Sequence, residues 1–288
     1  MSCWKEPAPA KVNLALDILR RRPDGYHDLL MVMQSVSLCD TVIVEETPDG
    51  FALDTGGGFT PLSGRSMELR TAEAFFSTIG RPMPGLRVTL EKRIPAYAGL
   101  GGGSADVAAF LRILRKVYCP SLSADALERI GLSIGSDVPF CVRGGTAYAQ
   151  GRGEILTPLP PLPDMYFVLC KPPFDIPTPT LFARADRLTL SRRPDIDGMT
   201  DAVRRGDFDA IAARLCNVFE DVLPPEFAEV FAVKARLLEL GADNAVMSGS
   251  GPTVCGLFRA AAAAQAAADT LRERYPNTFT ATPLPPVE

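Results

Sequence analysis

Three observations place this chain of 288 residues in the α+β class, as two domains sharing a cleft. Apolar residues alternate with a two-residue period across 10–19. A glycine-dense turn at 99–103 opens directly into an apolar stripe of helical period. A proline-dense stretch at 157–164 separates a half that mixes strands and helices from the remainder. The length suffices to bury a sizeable core in each half.

The first strand rests on Val12, Leu14, Leu16 and Ile18 alternating with Asn13, Ala15 and Asp17, which places Lys11 and Asn13 on one face. Residues 41–46 and 86–92 are strand-like, and 65–79 read as a helix closed by Gly80. Beyond the glycine turn, Val107, Leu111, Leu114 and Tyr118 mark one face of a helix packed on a sheet. Ser123, with Asp125 and Glu128 behind it, opens another helix to about residue 132. A polar break carrying Asp137 follows at 133–140.

The prolines set the boundary, giving domains 1–158 and 159–288. After it come a strand-like run at 165–169 and helices near 179–188, 207–215 and 226–240. Two short apolar runs then flank Ser248, Gly249, Ser250 and Gly251, and an alanine-rich helix spans 260–275.

Composition narrows the function. With 47% hydrophobic and 22% charged residues the chain reads as globular, and a net charge of −4 gives no electrostatic reason to bind nucleic acid. No apolar run suggests membrane insertion or export, so the expected compartment is the cytoplasm. The 7 cysteines form no Cys-x-x-Cys pair, which argues against disulfide or zinc frameworks; they read as small buried apolar residues.

The glycine turn is worded as a phosphate cradle. Gly99, Gly101, Gly102 and Gly103 let backbone N–H groups approach a polyphosphate, and Ser104 sits where a helix N-cap would face that anion. A Walker A loop would need a lysine after the glycines and a dinucleotide fingerprint a glycine at Ser104, so neither applies. A plain tight turn is the competing reading. Phosphoryl transfer further needs a cation and a base near the acceptor hydroxyl: Lys11 offers the first and Asp137 the second. A solvated strand lysine and a helix or turn cap are the bland alternatives for these two.

Pro95, Gly99, Leu100 and Ser104, spaced Pro-x-x-x-Gly-Leu-x-x-x-Ser, resemble the ATP loop of the GHMP kinases, which include galactokinase, homoserine kinase and mevalonate kinase. Four further segments fall in that family's order: Pro9 to Leu14, Asp24-Gly25-Tyr26-His27, Ile134 to Phe140, and Met247 to Thr253. The Asp-Gly-Tyr-His segment is similar to the branch whose acceptor is a cytidine diphosphate-linked methylerythritol of non-mevalonate isoprenoid synthesis.

The resemblance implies a two-domain GHMP kinase fold with its active site in the cleft between domains, and transfer of the ATP γ-phosphate to an alcohol. It implies Lys11 and Asp137 as the catalytic pair and an ATP loop of Pro95, Ala96, Tyr97, Ala98, Gly99, Leu100, Gly101, Gly102, Gly103, Ser104 and Ala105. Asn13, Tyr26, His27 and Phe182 match substrate contacts, the last as an aromatic that sandwiches cytosine from the other domain. Ser248, Gly249, Ser250 and Gly251 match a second turn near the phosphates. His27 is equally an ordinary turn histidine, Phe182 a core residue and the second turn a simple hairpin. Many members carry two serines after the glycines, whereas here the second is Ala105; Mg²⁺ is expected on the nucleotide and no residue is assigned as its ligand.

Two other functions stay open: a kinase of this family with another small acceptor such as homoserine or mevalonate, and a non-catalytic nucleotide-binding regulator. The aromatic residues weigh against the first and the Lys11–Asp137 pair against the second. Oligomeric state is not readable from the sequence.

Overall fold

The computed structural model describes residues 2–56 and 65–287. Two long antiparallel strands, β1 (Cys3–Arg21) and β2 (His27–Thr47), form the spine of the first sheet. They are followed by β3 (Phe51–Asp54), α1 (Met67–Thr78), β4 (Gly85–Glu91), α2 (Gly102–Tyr118), α3 (Ala124–Leu132), α4 (Val138–Arg143), β5 (Thr146–Gly151) and β6 (Ile155–Leu159). The second half supplies β7 (Tyr166–Cys170), α5 (Thr178–Ala185), α6 (Ile196–Arg205), α7 (Phe208–Ala213), β8 (Cys216–Asn217), α8 (Glu229–Glu239), β9 (Asn244–Met247), β10 (Val254–Phe258), α9 (Ala261–Arg272) and β11 (Thr278–Ala281).

Among the described residues the first sheet runs β3-β4-β2-β1-β8, with the β5–β6 hairpin also paired to β2; the second runs β11-β7-β10-β9. Helix α2 packs on β1 and β2, while α8 and α9 cover one face of the second sheet. Its other face turns toward the first sheet. Alternation along β7 shows the division: Val168 and Cys170 join Val233, Leu237 and Ala268 on the helix side. Phe167 and Leu169 join Val12, Leu14 and Val36 in a core between the sheets. That shared core also takes Ile94, Ala98 and Leu100, so the glycine loop is anchored from below by side chains of both halves.

Several elements differ from the sequence reading. β1 is longer than 10–19, and 41–46 is only the end of β2. β2 escapes periodicity because Met31 to Val36 are buried on both faces and show no polar alternation. Helix α6 was not foreseen, although Asp195 accepts from Gly198 N–H as its N-cap and Ile196, Met199, Ala202 and Val203 form its buried stripe. Its Gly198 and sparse apolar content mask the pattern. Ser104 is not the N-cap of α2: Gly101, at φ 69°, takes that place, and Ser104 lies within the first turn. The polar break at 133–140 ends in a short helix, α4, with Asp137 immediately before it.

Candidate active site

Strand β1 carries Lys11 beneath the glycine loop. Its backbone N–H donates to the Leu100 carbonyl at 2.9 Å, tying loop to strand. The side chain runs under Gly101, where an added Cβ would stand 2.9 Å from Lys11 Cγ. Glycine at that position therefore lets the lysine stem pass. Only 4% of Lys11 is exposed, so it is no solvated strand lysine. A buried ammonium needs partners. Lys11 Nζ donates to Asn13 Oδ1 at 2.8 Å and lies 3.3 Å from Asp137 Oδ2.

Asp137 stands at the N-terminus of α4 but makes no side-chain cap bond; its carboxylate turns to Lys11. About a third of that side chain remains exposed (32%), which offers the carboxylate to the cleft while the ammonium stays covered. Cys141, one turn on, is kept protonated: burial, with Asp137 adding to it, pushes its thiol up to about 12.

The second glycine turn joins β9 to β10, so it is a hairpin connection as well as part of the site. Ser248 Oγ accepts from Asn13 N–H at 3.3 Å and donates to the Gly99 carbonyl at 3.0 Å. A Cβ on Gly99, which has φ +72°, would stand 2.1 Å from the Ser248 carbonyl oxygen. On Gly249 it would lie 3.3 Å from Lys11 Nζ. The two turns thus press together over the lysine, at a spacing only glycine permits. Asn217, unnoticed in the sequence, holds the second turn: its buried amide donates to the Met247 and Gly249 carbonyls at 2.7 and 2.8 Å.

These groups line a cleft of about 1090 Å³ between the two halves. Tyr97, Gly99, Gly101 and Ser104 face it from the first turn, Gly249, Ser250 and Gly251 from the second, and Asn13, Tyr26, His27 and Phe182 from farther along. Ala98, Leu100 and Ala105 turn their side chains into the core instead, and Pro95, Ala96, Gly102, Gly103 and Ser248 are not on the cleft wall. Every side chain singled out for chemistry, Lys11, Asp137, Asn13, Tyr26, His27 and Phe182, therefore meets in one cavity.

His27 and Phe182 do not face an open slot. Their rings stack directly, centroids 4.5 Å apart and planes 17° from parallel, leaving no gap for a third ring between them. His27 Nε2 lies 2.8 Å from Asp186 Oδ1; a carboxylate only accepts, so that nitrogen carries a proton. Tyr26 is 52% exposed, with the Arg152 guanidinium 4.6 Å above its ring. Arg152 and Asp186 escaped the sequence reading because neither lies in a motif.

Behind the glycine loop, Lys92 Nζ donates to both Asp40 and Asp106, and Asp40 Oδ1 also accepts from Ile94 N–H at 2.8 Å. Asp106 Oδ1 is buried with no partner. Burial first, then Asp40 and Glu68 against the opposing pull of Lys92, push the Asp106 carboxyl up to about 7. Although burial works against it, Lys92 is held above its ordinary value by Asp106 and Asp40.

The model of the GHMP kinases N terminal domain matches residues 67–145, and that of the GHMP kinases C terminal domain matches 199–277. The chain is 43% identical over 276 residues to the 4-diphosphocytidyl-2-C-methyl-D-erythritol kinase of Moorella thermoacetica, covering 95% of this chain and 96% of that protein. It is 35% identical over 272 residues to the enzyme of the same name from Clostridium botulinum, with 94% and 97% covered. A crystal structure of 4-(cytidine 5'-diphospho)-2C-methyl-D-erythritol kinase superposes with a TM-score of 0.82 at 33% identity, over 97% of this chain and 99% of that one. Homoserine kinase from Cytophaga hutchinsonii shares the fold, with a TM-score of 0.78 at 19% identity over 99% of this chain and 96% of that one.

Proposed function

The chain belongs to the GHMP kinases, and on that basis we propose that it transfers the γ-phosphate of ATP to the 2-hydroxyl of 4-diphosphocytidyl-2-C-methyl-D-erythritol, in non-mevalonate isoprenoid precursor synthesis. One observation carries the reading. A single cleft holds the buried Lys11–Asp137 pair between two glycine turns and, along the same wall, the aromatic group Tyr26, His27 and Phe182.

ATP lies with its phosphates along the cradle of Gly99, Gly101 and Ser104, at the N-terminal end of α2, whose 17 residues aim their positive dipole end there. The opposing turn, Ser248 to Gly251, closes the other side. Mg²⁺ carried by the nucleotide would supply neutralisation of phosphate charge in that cradle. Asp137 accepts the proton of the attacking hydroxyl. Lys11, held in place by Asn13, stabilises the charge that develops on the transferring group. In many analyses such a transition state is loose, so the fixed cation and the in-line geometry contribute more than the strength of the base.

At the far end of the cleft, Tyr26 offers its exposed ring to the cytosine, with His27 and Phe182 as the neighbouring wall. The reaction belongs to the cytoplasm. ADP release from purified protein with Mg-ATP tests the reading, with the diphosphocytidyl compound, homoserine, mevalonate and galactose offered separately. Turnover confined to the cytidine compound is expected. Turnover with another acceptor would overturn the base-recognition part, and silence with all four from folded protein would overturn the enzyme.

A further inference from the structure

β2 leaves its ladder just where the catalytic lysine sits. Pro9 faces Cys39 but Lys11 faces Ser35, so β2 spends four residues where β1 spends two. Backbone groups that such a bulge removes from the ladder need other partners. Residues 282–287, which follow β11, provide them. Ser37 N–H donates to the Thr282 carbonyl and Leu284 N–H to the Ser35 carbonyl, each at 2.9 Å. In return Gln34 Nε2 donates to the Leu284 carbonyl at 2.9 Å, and Thr282 N–H to Ser37 Oγ at 2.9 Å.

The same segment then crosses to the far end of α4. Pro286 pairs with Gly144, and Val287 N–H donates to the Arg143 carbonyl at 2.7 Å. Gly145 closes the arrangement: it accepts from Ser35 N–H at 2.9 Å, and a Cβ there would stand 2.8 Å from Pro286 Cγ. One extended segment therefore holds both the residue opposite Lys11 and the helix that begins after Asp137.

We propose that residues 282–287 are a positioning strap for the Lys11–Asp137 pair, fixing the bulge of β2 against α4 and with it the 3.3 Å separation of ammonium and carboxylate. This rests on the reading of that pair as catalytic. The need for a strap follows from the parts. α4 has only six residues, so its orientation comes from what it packs on, namely α2, α3 and this segment, and Asp137 adds no cap bond of its own. A displacement of about 1 Å at a reacting group costs roughly a hundredfold in rate.

The test removes donors and leaves the path of the chain intact. Leu284→Pro with Val287→Pro deletes the two N–H groups that grip Ser35 and Arg143; both positions already follow prolines in extended pairing. Leu284→Ala with Val287→Ala trims the same side chains and keeps both donors. The proline pair is expected to lower kcat at least about tenfold with the KM for ATP within about twofold, whereas the alanine pair keeps the parent kcat. Amide hydrogen exchange in α4 and at Ser37 should quicken in the proline pair alone. Parent-like kcat in a folded proline pair, or equal losses in both pairs, would overturn the strap. Should the double variant not fold, Val287→Pro alone severs the α4 attachment and carries the same expectation. If the parent itself shows no turnover, the proposed function fails separately, and unchanged exchange of α4 in the proline pair then overturns the strap.

Discussion

Asp137→Asn separates the chemical from the structural role of the pair. At 3.3 Å, with an effective dielectric of about 20, the attraction between Lys11 and Asp137 is about 5 kcal/mol before losses. A third of the carboxylate is in water and Asn13 Oδ1 still accepts from the ammonium at 2.8 Å, so the net destabilisation is about 1–2 kcal/mol. A melting point lowered by a few degrees is expected for a chain of this size. Turnover should fall much further. Loss of a positioned base costs about 10²–10⁴-fold, and a loose transition state places this case toward the lower end, near a hundredfold. ADP release at saturating acceptor gives kcat, titration calorimetry gives ATP affinity, and thermal unfolding gives stability. A kcat within about threefold of the parent would remove Asp137 from the chemistry, and a rate loss matched by equal loss of ATP affinity would refute the division of roles.

Tyr26→Ala should raise the KM for the cytidine acceptor at least about tenfold while leaving that for ATP nearly unchanged, because stacking on a base is worth about 1–3 kcal/mol; equal weakening of both would reject the stacking role. Gly99→Ala forces a Cβ to within 2.1 Å of the Ser248 carbonyl at a φ of +72°, so steady-state kinetics should show a raised KM for ATP and thermal unfolding a loss of more than about 1 kcal/mol. Asp106 has its pKa raised from 3.8 to about 7, so between these values the folded chain binds the extra proton and stability falls as pH rises. Urea unfolding at pH 5 and pH 7.5 should show that fall in the parent and a flatter dependence in Asp106→Asn.

Local patterns made much of the fold legible. β1 announced itself because Val12, Leu14 and Leu16 alternate with Asn13, Ala15 and Asp17, and α2 because a glycine turn precedes a clear stripe. Lys11, Asn13 and Asp137 were found through motifs, and their mutual distances agree with one constellation. What stayed hidden depends on partners distant in sequence. Asn217 matters only because it reaches Met247 and Gly249, and Asp186 only because α5 delivers it to His27. Residues 282–287 drew no reading from the sequence, since nothing local records that the Ser35 and Arg143 carbonyls await their N–H groups. The direct stacking of His27 on Phe182 is likewise a tertiary fact, invisible to either neighbourhood.

The first sheet borrows from late in the chain: β8 pairs with Ala15 and Leu16, and residues 282–287 close the bulge beside Lys11. During synthesis at about 5–20 residues per second, the sheet's spine leaves the ribosome long before either partner exists. The nascent first half must therefore wait with an open strand edge and an unsatisfied bulge. The cleft in which Lys11 meets Asp137 is thus among the last features of the molecule to be completed.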